Sequence, residues 1–302
     1  MSRAYNAKRK AKRQQAQGIA APAPRRHVGS SRRLGVILPL LAIAAVLAAT
    51  AVLGFGADKA TSREEVDREV GELLAGIPQD GPTLGEPKAP ITLRVFADLE
   101  CPTVRRFVVS RLPSIISAWV RKGVIKLDYR SLETDTVNER TFYTQEAAAL
   151  AAGRQDRMWD FVLTAVYEQQ FKRLDLGQKG SSQVTGVQHS DYVDEEFLTD
   201  IATRVSGLDM AFWHQDREDA LLSKQVARGV HLAHTNDLHA TPAFMIGRTG
   251  DETYHRVGPR TERNYLINAA SLGKGIEAYL GRSAAYLRQY GVPEVKYQSS
   301  KE

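Results

Sequence analysis

The residue best suited to chemistry is Cys101, the only cysteine among 302 residues. It follows the β-branched and aromatic segment 91–97 and precedes a helical pattern, so a strand gives way to a helix at this point. Backbone amides and the positive end of the helix dipole stabilise an anion there, which lowers the pKa of a thiol. The alternative is a buried and unreactive cysteine, the commonest situation of a lone thiol.

Having one cysteine excludes several kinds of site. The chain cannot form an intramolecular disulfide, a paired-cysteine zinc site or an iron–sulfur cluster held by its own thiolates. Thiol chemistry would therefore involve a second molecule. The acids Asp98 and Glu100 would raise the pKa of the Cys101 thiol if they lie close, whereas a hydrogen bond from Thr103 would stabilise the thiolate.

Two separated motifs carry a family resemblance. The segment from Phe96 to Val104, with Asp98, Cys101 and Pro102, resembles the F-x-D-x-x-C-P-x-C pattern of DsbA-like thioredoxin-fold proteins. The segment 240–244, with sequence ATPAF, is similar to the T-P-x-F segment of the same family. The resemblance extends over about residues 81–280 and includes a helical insertion.

The resemblance implies a site. It places the catalytic residues at Cys101, Pro102 and Thr103 and a cis peptide bond between Thr241 and Pro242, beside Cys101. Backbone groups of Ala240, Thr241 and Pro242 would pair with an extended client peptide. The simpler interpretation of Pro242 is a proline at the start of a strand.

Val104 is the main departure from the family pattern, because it occupies the position of the second active-site cysteine. That second thiol normally resolves the mixed disulfide with the client. A dithiol oxidase that cycles through an internal disulfide is therefore excluded. Val104 also begins the apolar stripe of the helix that follows.

Three hypotheses remain open. The first is a monothiol protein with isomerase-like or reductase-like activity, in which Cys101 forms mixed disulfides with protein clients or a thiol partner. The second is a redox-silent peptide-binding or assembly factor that keeps the thioredoxin groove. The third is a covalent homodimer joined through Cys101.

No metal or cofactor is predicted. His231, His234 and His239 are close in sequence, but no carboxylate or cysteine completes a ligand set at a recognised spacing. Phosphate loops, a serine nucleophile elbow and paired catalytic carboxylates are absent from the sequence.

Charge is distributed unevenly along the chain. Residues 1–33 contain ten Lys and Arg and no acid, so the remainder has 31 Lys and Arg against 35 Asp and Glu. The net charge of +6 thus comes from a basic tail, and the slightly acidic body gives no indication of nucleic-acid binding.

An uncharged run of 22 residues, 34–55, follows this tail. As a helix it would be about 33 Å long, enough to cross a bilayer core of roughly 30 Å. The basic residues precede it, which predicts a single-pass anchor at 34–56 with a cytoplasmic N-terminus in the cell membrane and an extracytoplasmic C-terminal domain. A cleaved signal peptide is the competing interpretation, but the basic and apolar regions are both too long for one.

The elements that position the site follow from periodicity. Apolar spacing predicts a short amphipathic helix over 62–77, and the Pro/Gly-rich segment 78–90 reads as a connector. Strands at 91–97 and 124–130 flank one amphipathic helix from 101 to 123, kinked at Pro113, and form a β-α-β unit. The later elements predicted from the pattern are helices at 139–155, 158–171, 194–205, 209–234 and 261–280, strands at 243–246 and 253–257, and a Gly/Ser-rich loop at 174–190.

The predicted fold is α/β and thioredoxin-like, with a helical insertion, preceded by one N-terminal transmembrane helix. The predicted organisation is a basic cytoplasmic tail at 1–33, an anchor at 34–56, a juxtamembrane helix and linker at 57–81, a thioredoxin domain at 82–285 with its insertion at about 139–235, and a C-terminal tail at 286–302.

Overall fold

The computed structural model describes residues 62–175, 192–257 and 269–292. The predicted basic tail, the predicted anchor and most of the predicted Gly/Ser-rich loop lie outside these residues. Among the helices in the described part, none combines the length and the apolar character needed to cross a membrane.

A mixed sheet organises the described part of the chain. The strands Ile91–Ala97 (β3) and Ile125–Ser131 (β4) pair in parallel, in register from end to end, which confirms the predicted β-α-β unit. The strand Ala243–Arg248 (β5) lies antiparallel on the other side of β3. Within the described residues, six strands have the order β1-β2-β4-β3-β5-β6: β1 Gln79–Asp80, β2 Thr83–Leu84, β3 Ile91–Ala97, β4 Ile125–Ser131, β5 Ala243–Arg248 and β6 His255–Val257.

Helices cover the sheet and form the insertion. Those between β4 and β5 make up the predicted helical insertion, which confirms the thioredoxin-like α/β architecture. The described helices are α1 Arg63–Leu74, α2 Pro102–Ser110, α3 Leu112–Ile115, α4 Glu139–Gly153, α5 Met158–Asp175, α6 Glu195–Arg204, α7 Met210–Arg217, α8 Ala220–Thr235, α9 Ala269–Arg282 and α10 Ala284–Arg288.

The helix predicted from 101 to 123 is not continuous. It breaks at Arg111, whose backbone has φ −129° and ψ −40°, and resumes as α3 and a π-helical turn at Ile116–Val120. Pro113 explains the break, because its nitrogen has no hydrogen to donate to the Val109 carbonyl and its ring crowds that carbonyl one helical turn earlier. The predicted kink is therefore a full interruption.

Two further predictions need correction. The segment 78–90, predicted as a connector, contains β1 and β2, joined by a turn in which Gly81 has φ +56°. Strands of two residues are too short to show an alternating pattern. The single helix predicted over 209–234 is two helices, because the Asp219 side chain accepts a hydrogen bond from the Leu221 amide and begins α8 anew.

Helix α1 packs into the main core rather than standing apart. Its apolar stripe is buried, and Arg204 of α6 reaches back to it, 2.8 Å from Asp67. The same guanidinium lies 2.7 Å from the buried carboxylate of Glu168 in α5. The residues of the buried stripe are Val66, Val70, Leu73 and Leu74.

Strand register brings three chain segments to one edge of the sheet. The carboxyl ends of β3 and β4 lie side by side, since Ala97 pairs with Ser131. The amino end of β5 meets the same edge, since Ala243 pairs with Phe96. The segment that leads to Cys101, the loop after β4 and the Thr241–Pro242 segment therefore converge.

Candidate active site

Cys101 is the N-cap residue of α2, with φ −70° and ψ 119°. Its carbonyl accepts a hydrogen bond from the Arg105 amide at 3.1 Å, and Pro102 occupies the first helical turn, where a missing amide hydrogen costs nothing. The predicted strand-to-helix junction is therefore confirmed. Cys101 is only 1% exposed, so its thiol is shielded from solvent.

Two threonines surround the sulfur. Thr103 Oγ1 lies 2.8 Å from Cys101 Sγ, and the backbone carbonyl of Thr241 lies 3.6 Å from the same sulfur. Thr103 Oγ1 also donates to the Thr241 carbonyl at 2.6 Å. The Thr241–Pro242 peptide bond is cis and lies beside Cys101, as the resemblance implied.

Burial decides the acidity of this thiol. Desolvation raises the pKa of Cys101 to about 12, and the negative charge of Asp135, which accepts a hydrogen bond from the thiol, adds to the rise. Hydrogen bonds from the side-chain hydroxyls of Thr103 and Thr241 favour the thiolate and lower the pKa, but they offset the rise only in part. The sequence left the direction of this shift open, because the helix N-terminus and the nearby acids act in opposite senses. Burial decides it, because an ion in a shielded site loses more hydration than the helix end replaces.

Asp98 organises the site without acting on the thiol directly. One of its carboxylate oxygens accepts hydrogen bonds from the backbone amides of Thr134, Asp135 and Thr136, at 2.8 to 3.0 Å. The other accepts from the Thr136 hydroxyl at 2.6 Å. Asp98 therefore fixes the loop that carries Asp135.

The segment 134–136, which we call the acidic loop, also touches the cis-proline segment. The hydroxyls of Thr134 and Thr241 are 2.6 Å apart. Sequence reasoning named Asp98 and Glu100 as modulators of the thiol pKa and missed Asp135. The sequence did carry one indication of this contact. Asp135 comes just after β4 and Cys101 just after β3, and the carboxyl ends of two parallel strands meet at the same edge of the sheet.

The remaining predicted site residues are nearby but play smaller parts. Glu100 is buried, and so is Pro242. Ala240 is half-buried ahead of the cis bond. Val104 is 2% exposed and belongs to the main apolar core, so the position of the family's second cysteine is filled by core packing.

A second buried carboxylate, Glu146 of α4, lies beneath this site. It accepts hydrogen bonds from the Tyr129 hydroxyl at 3.0 Å and the Ser131 hydroxyl at 2.6 Å. Desolvation, reinforced by the negative charge of Asp98, raises the pKa of Glu146 to about 8. This side chain therefore titrates near neutral pH. It is linked to the site through the charge of Asp98, which also binds the backbone amide of Asp135.

The three histidines do not converge on the thiol site as a group. The rings of His234 and His239 stack with centroids 5.7 Å apart, and His239 Nε2 lies 3.0 Å from an oxygen of Asp237. His231 lies exposed on α8. Within the part of the chain that the structure describes, no group of three or more ligating side chains could hold a metal ion.

Comparison with known families identifies one match. The profile of the family described as thioredoxin matches residues 78–256, which include all of the segments that form this site. A comparison with curated proteins gave no match.

Solved structures with a similar fold share little sequence with this chain. Oxidised BdbD from Bacillus subtilis is 16% identical with a TM-score of 0.45, over 67% of this chain and 97% of that chain. The α-DsbA1 protein from Wolbachia pipientis is 22% identical with a TM-score of 0.44, over 70% of this chain and 99% of that chain. DsbA2 from Pseudomonas aeruginosa is 18% identical with a TM-score of 0.41, over 65% of this chain and 94% of that chain.

Replacing Asp135 with Asn should lower the pKa of the Cys101 thiol by about one pH unit, because the substitution removes a negative charge from a site of low dielectric. Thiolate absorbance in the ultraviolet, with Cys101→Ala as the blank, measures this pKa. The exposed Asp251→Asn is the matched control and should leave it unchanged. An unaltered or higher thiol pKa in Asp135→Asn would show that Asp135 does not restrain the thiol.

Glu146 should make folding stability depend on pH. Its pKa is about 8 in the folded chain against an ordinary value of 4.5, so the folded state binds more protons than the unfolded state between these values. Stability should therefore fall as the pH rises from about 4.5 to 8, by up to about 5 kcal/mol.

Glu146→Gln should flatten this slope, because the amide cannot ionise. Urea unfolding at a series of pH values measures it, with the exposed Glu72→Gln as a control that keeps the wild-type slope. A slope that persists in Glu146→Gln would assign the pH dependence to another group.

Proposed function

The chain belongs to the thioredoxin family, and from that membership we propose that it takes part in thiol–disulfide exchange through Cys101 alone, as a monothiol protein. The observation that carries the proposal is the approach of Cys101 Sγ to within 3.6 Å of the carbonyl that precedes cis-Pro242. A sulfur at a helix N-terminus, beside backbone groups that can pair with an extended peptide, is arranged to meet a client disulfide.

The exchange balances without a second thiol in this chain. The Cys101 thiolate attacks one sulfur of a client disulfide, a new sulfur–sulfur bond forms, and the client's other sulfur leaves as a thiolate that takes up a proton. A second thiol, from the client or from a small molecule, then attacks the mixed disulfide and returns Cys101 to its reduced form. Val104 cannot perform this release, so its rate depends on the partner.

The same proposal includes a location. The uncharged run 34–55 is long enough to span a bilayer, and the basic residues before it favour a cytoplasmic N-terminus. The thioredoxin domain would then face the extracytoplasmic side as part of a single-pass membrane protein. Disulfide-bonded protein clients are found in that kind of compartment.

A second candidate function is favoured by one observation, the shielding of the thiol. Cys101 is almost fully buried and its pKa is raised to about 12, so very little thiolate exists near neutral pH. A redox-silent protein that binds peptides beside Pro242 would need no thiolate. The two candidates differ in whether Cys101 ever becomes bonded to a partner sulfur.

Incubation of the full-length chain with oxidised glutathione should yield a mixed disulfide on Cys101, visible as an increase in protein mass that a reductant reverses. Cys101→Ser should give no adduct. Val104→Cys should lose the adduct faster than the wild type, because a neighbouring thiol can displace glutathione. A native wild-type chain that stays unmodified while the denatured chain reacts would favour the redox-silent candidate.

A further inference from the structure

Asp135 is the side chain that accepts the hydrogen bond of the Cys101 thiol. Its backbone amide donates to a carboxylate oxygen of Asp98 at 2.8 Å, and the Thr134 hydroxyl lies 3.5 Å from Asp135 Oδ2. Asp135 is half-buried, whereas Cys101 is only 1% exposed. A carboxylate is therefore fixed at the hydrogen that disulfide exchange must remove, and it is the more accessible of the two groups.

Two buried carboxylates nearby are already engaged elsewhere. Asp98 accepts hydrogen bonds on both of its oxygens, from amides of the acidic loop and from the Thr136 hydroxyl. Glu146 accepts from the hydroxyls of Tyr129 and Ser131. Both help to hold the site together, and Asp135 is left as the carboxylate that meets the thiol hydrogen.

The thiol and the Asp135 carboxylate share one proton and one negative charge. At rest the proton is on the Cys101 sulfur and the charge is on Asp135. Transfer of the proton along the existing hydrogen bond makes a thiolate and an uncharged carboxylic acid, so the charge that opposes the thiolate disappears in the same step. A proton lost to water would instead leave two negative charges together in a shielded site.

Hydroxyl groups on the sulfur favour its charged form. Thr103 Oγ1 lies 2.8 Å from Cys101 Sγ, and the side chains of Thr103 and Thr241 both stabilise the thiolate. We infer that Asp135 is the general base of the exchange reaction, which takes the thiol proton as Cys101 attacks and returns it to the client sulfur that leaves.

This inference rests on the proposed monothiol exchange and explains how a protonated thiol takes part in it. The bond between Cys101 and one client sulfur forms as the sulfur–sulfur bond of the client breaks. The proton moves from Cys101 to Asp135 and then to the leaving sulfur, so Asp135 returns to its charged state. The client disulfide is the oxidant, and no further reactant is required.

The first test is the rate of mixed-disulfide formation between the full-length chain and bis(2-hydroxyethyl) disulfide from pH 6 to 7, followed by protein mass after acid quenching. This range lies below the pKa of Glu146, about 8, and far below that of the Cys101 thiol, about 12. The wild-type rate should be nearly constant, because the shared proton stays with Cys101 and Asp135. A rise of about tenfold over this pH unit would contradict the inference, because attack by a thiolate that has lost its proton to water has that dependence.

Asp135→Asn separates a base from a mere charge by the sign of its effect. If Asp135 only holds the thiol protonated, its removal gives more thiolate and a faster reaction at pH 7. If it is the base, the reaction should become slower by about tenfold or more, since general base catalysis contributes about a hundredfold or more and the gain in thiolate offsets only part of it. The disulfide is uncharged, so the lost charge does not alter its attraction to the site.

Two further variants serve as controls for this measurement. Asp135→Glu keeps a carboxylate and should react faster than Asp135→Asn, and the exposed Asp251→Asn should match the wild type. Circular dichroism checks that each variant folds, and the wild-type pH profile decides the question if Asp135→Asn does not. A folded Asp135→Asn that reacts as fast as the wild type or faster would overturn the inference. If the native wild type forms no adduct while the denatured chain does, the proposed exchange function itself fails.

Discussion

The chemistry of the site depends above all on the removal of the Cys101 thiol from water. Raising the pKa of this thiol from 9.0 to about 12 corresponds to roughly 4 kcal/mol that oppose the thiolate. The helix N-terminus acts in the opposite direction, but a contribution on the order of 1 kcal/mol is too small to reverse the effect of burial. The resting protein therefore holds a covered thiol, and whatever activates it must change its surroundings.

The shielding is maintained by a buried carboxylate rather than by apolar contacts alone. Asp98 accepts hydrogen bonds from three consecutive amides of the acidic loop, which holds Asp135 at the sulfur. That loop touches Thr241 through a hydroxyl pair, and Thr241 touches Cys101 through Thr103. Because each member of this ring of contacts holds the next, a client that displaces one of them can alter the thiol environment as a whole.

Sequence reasoning located most of the helices and strands, but not the interactions that set the pKa of the Cys101 thiol. The strand before Cys101, the β-α-β unit and the cis bond at Pro242 follow from local pattern or motif. Pro113 marked the place of the disruption near Arg111, but it did not show that the helix would break there and resume with a π-helical turn. The role of Asp135 could not be read from its neighbours, because its contact with Cys101 arises only when two parallel strands end at the same edge.

The rate of alkylation of Cys101 as a function of pH, in the native full-length chain and in the same chain unfolded by denaturant, tests the central claim most directly. The covered and protonated thiol predicts a native rate near neutral pH at least about a hundredfold below the unfolded rate, with an apparent pKa well above the unperturbed value of about 8.5. A native rate equal to or above the unfolded rate, with an apparent pKa below about 8.5, would contradict it.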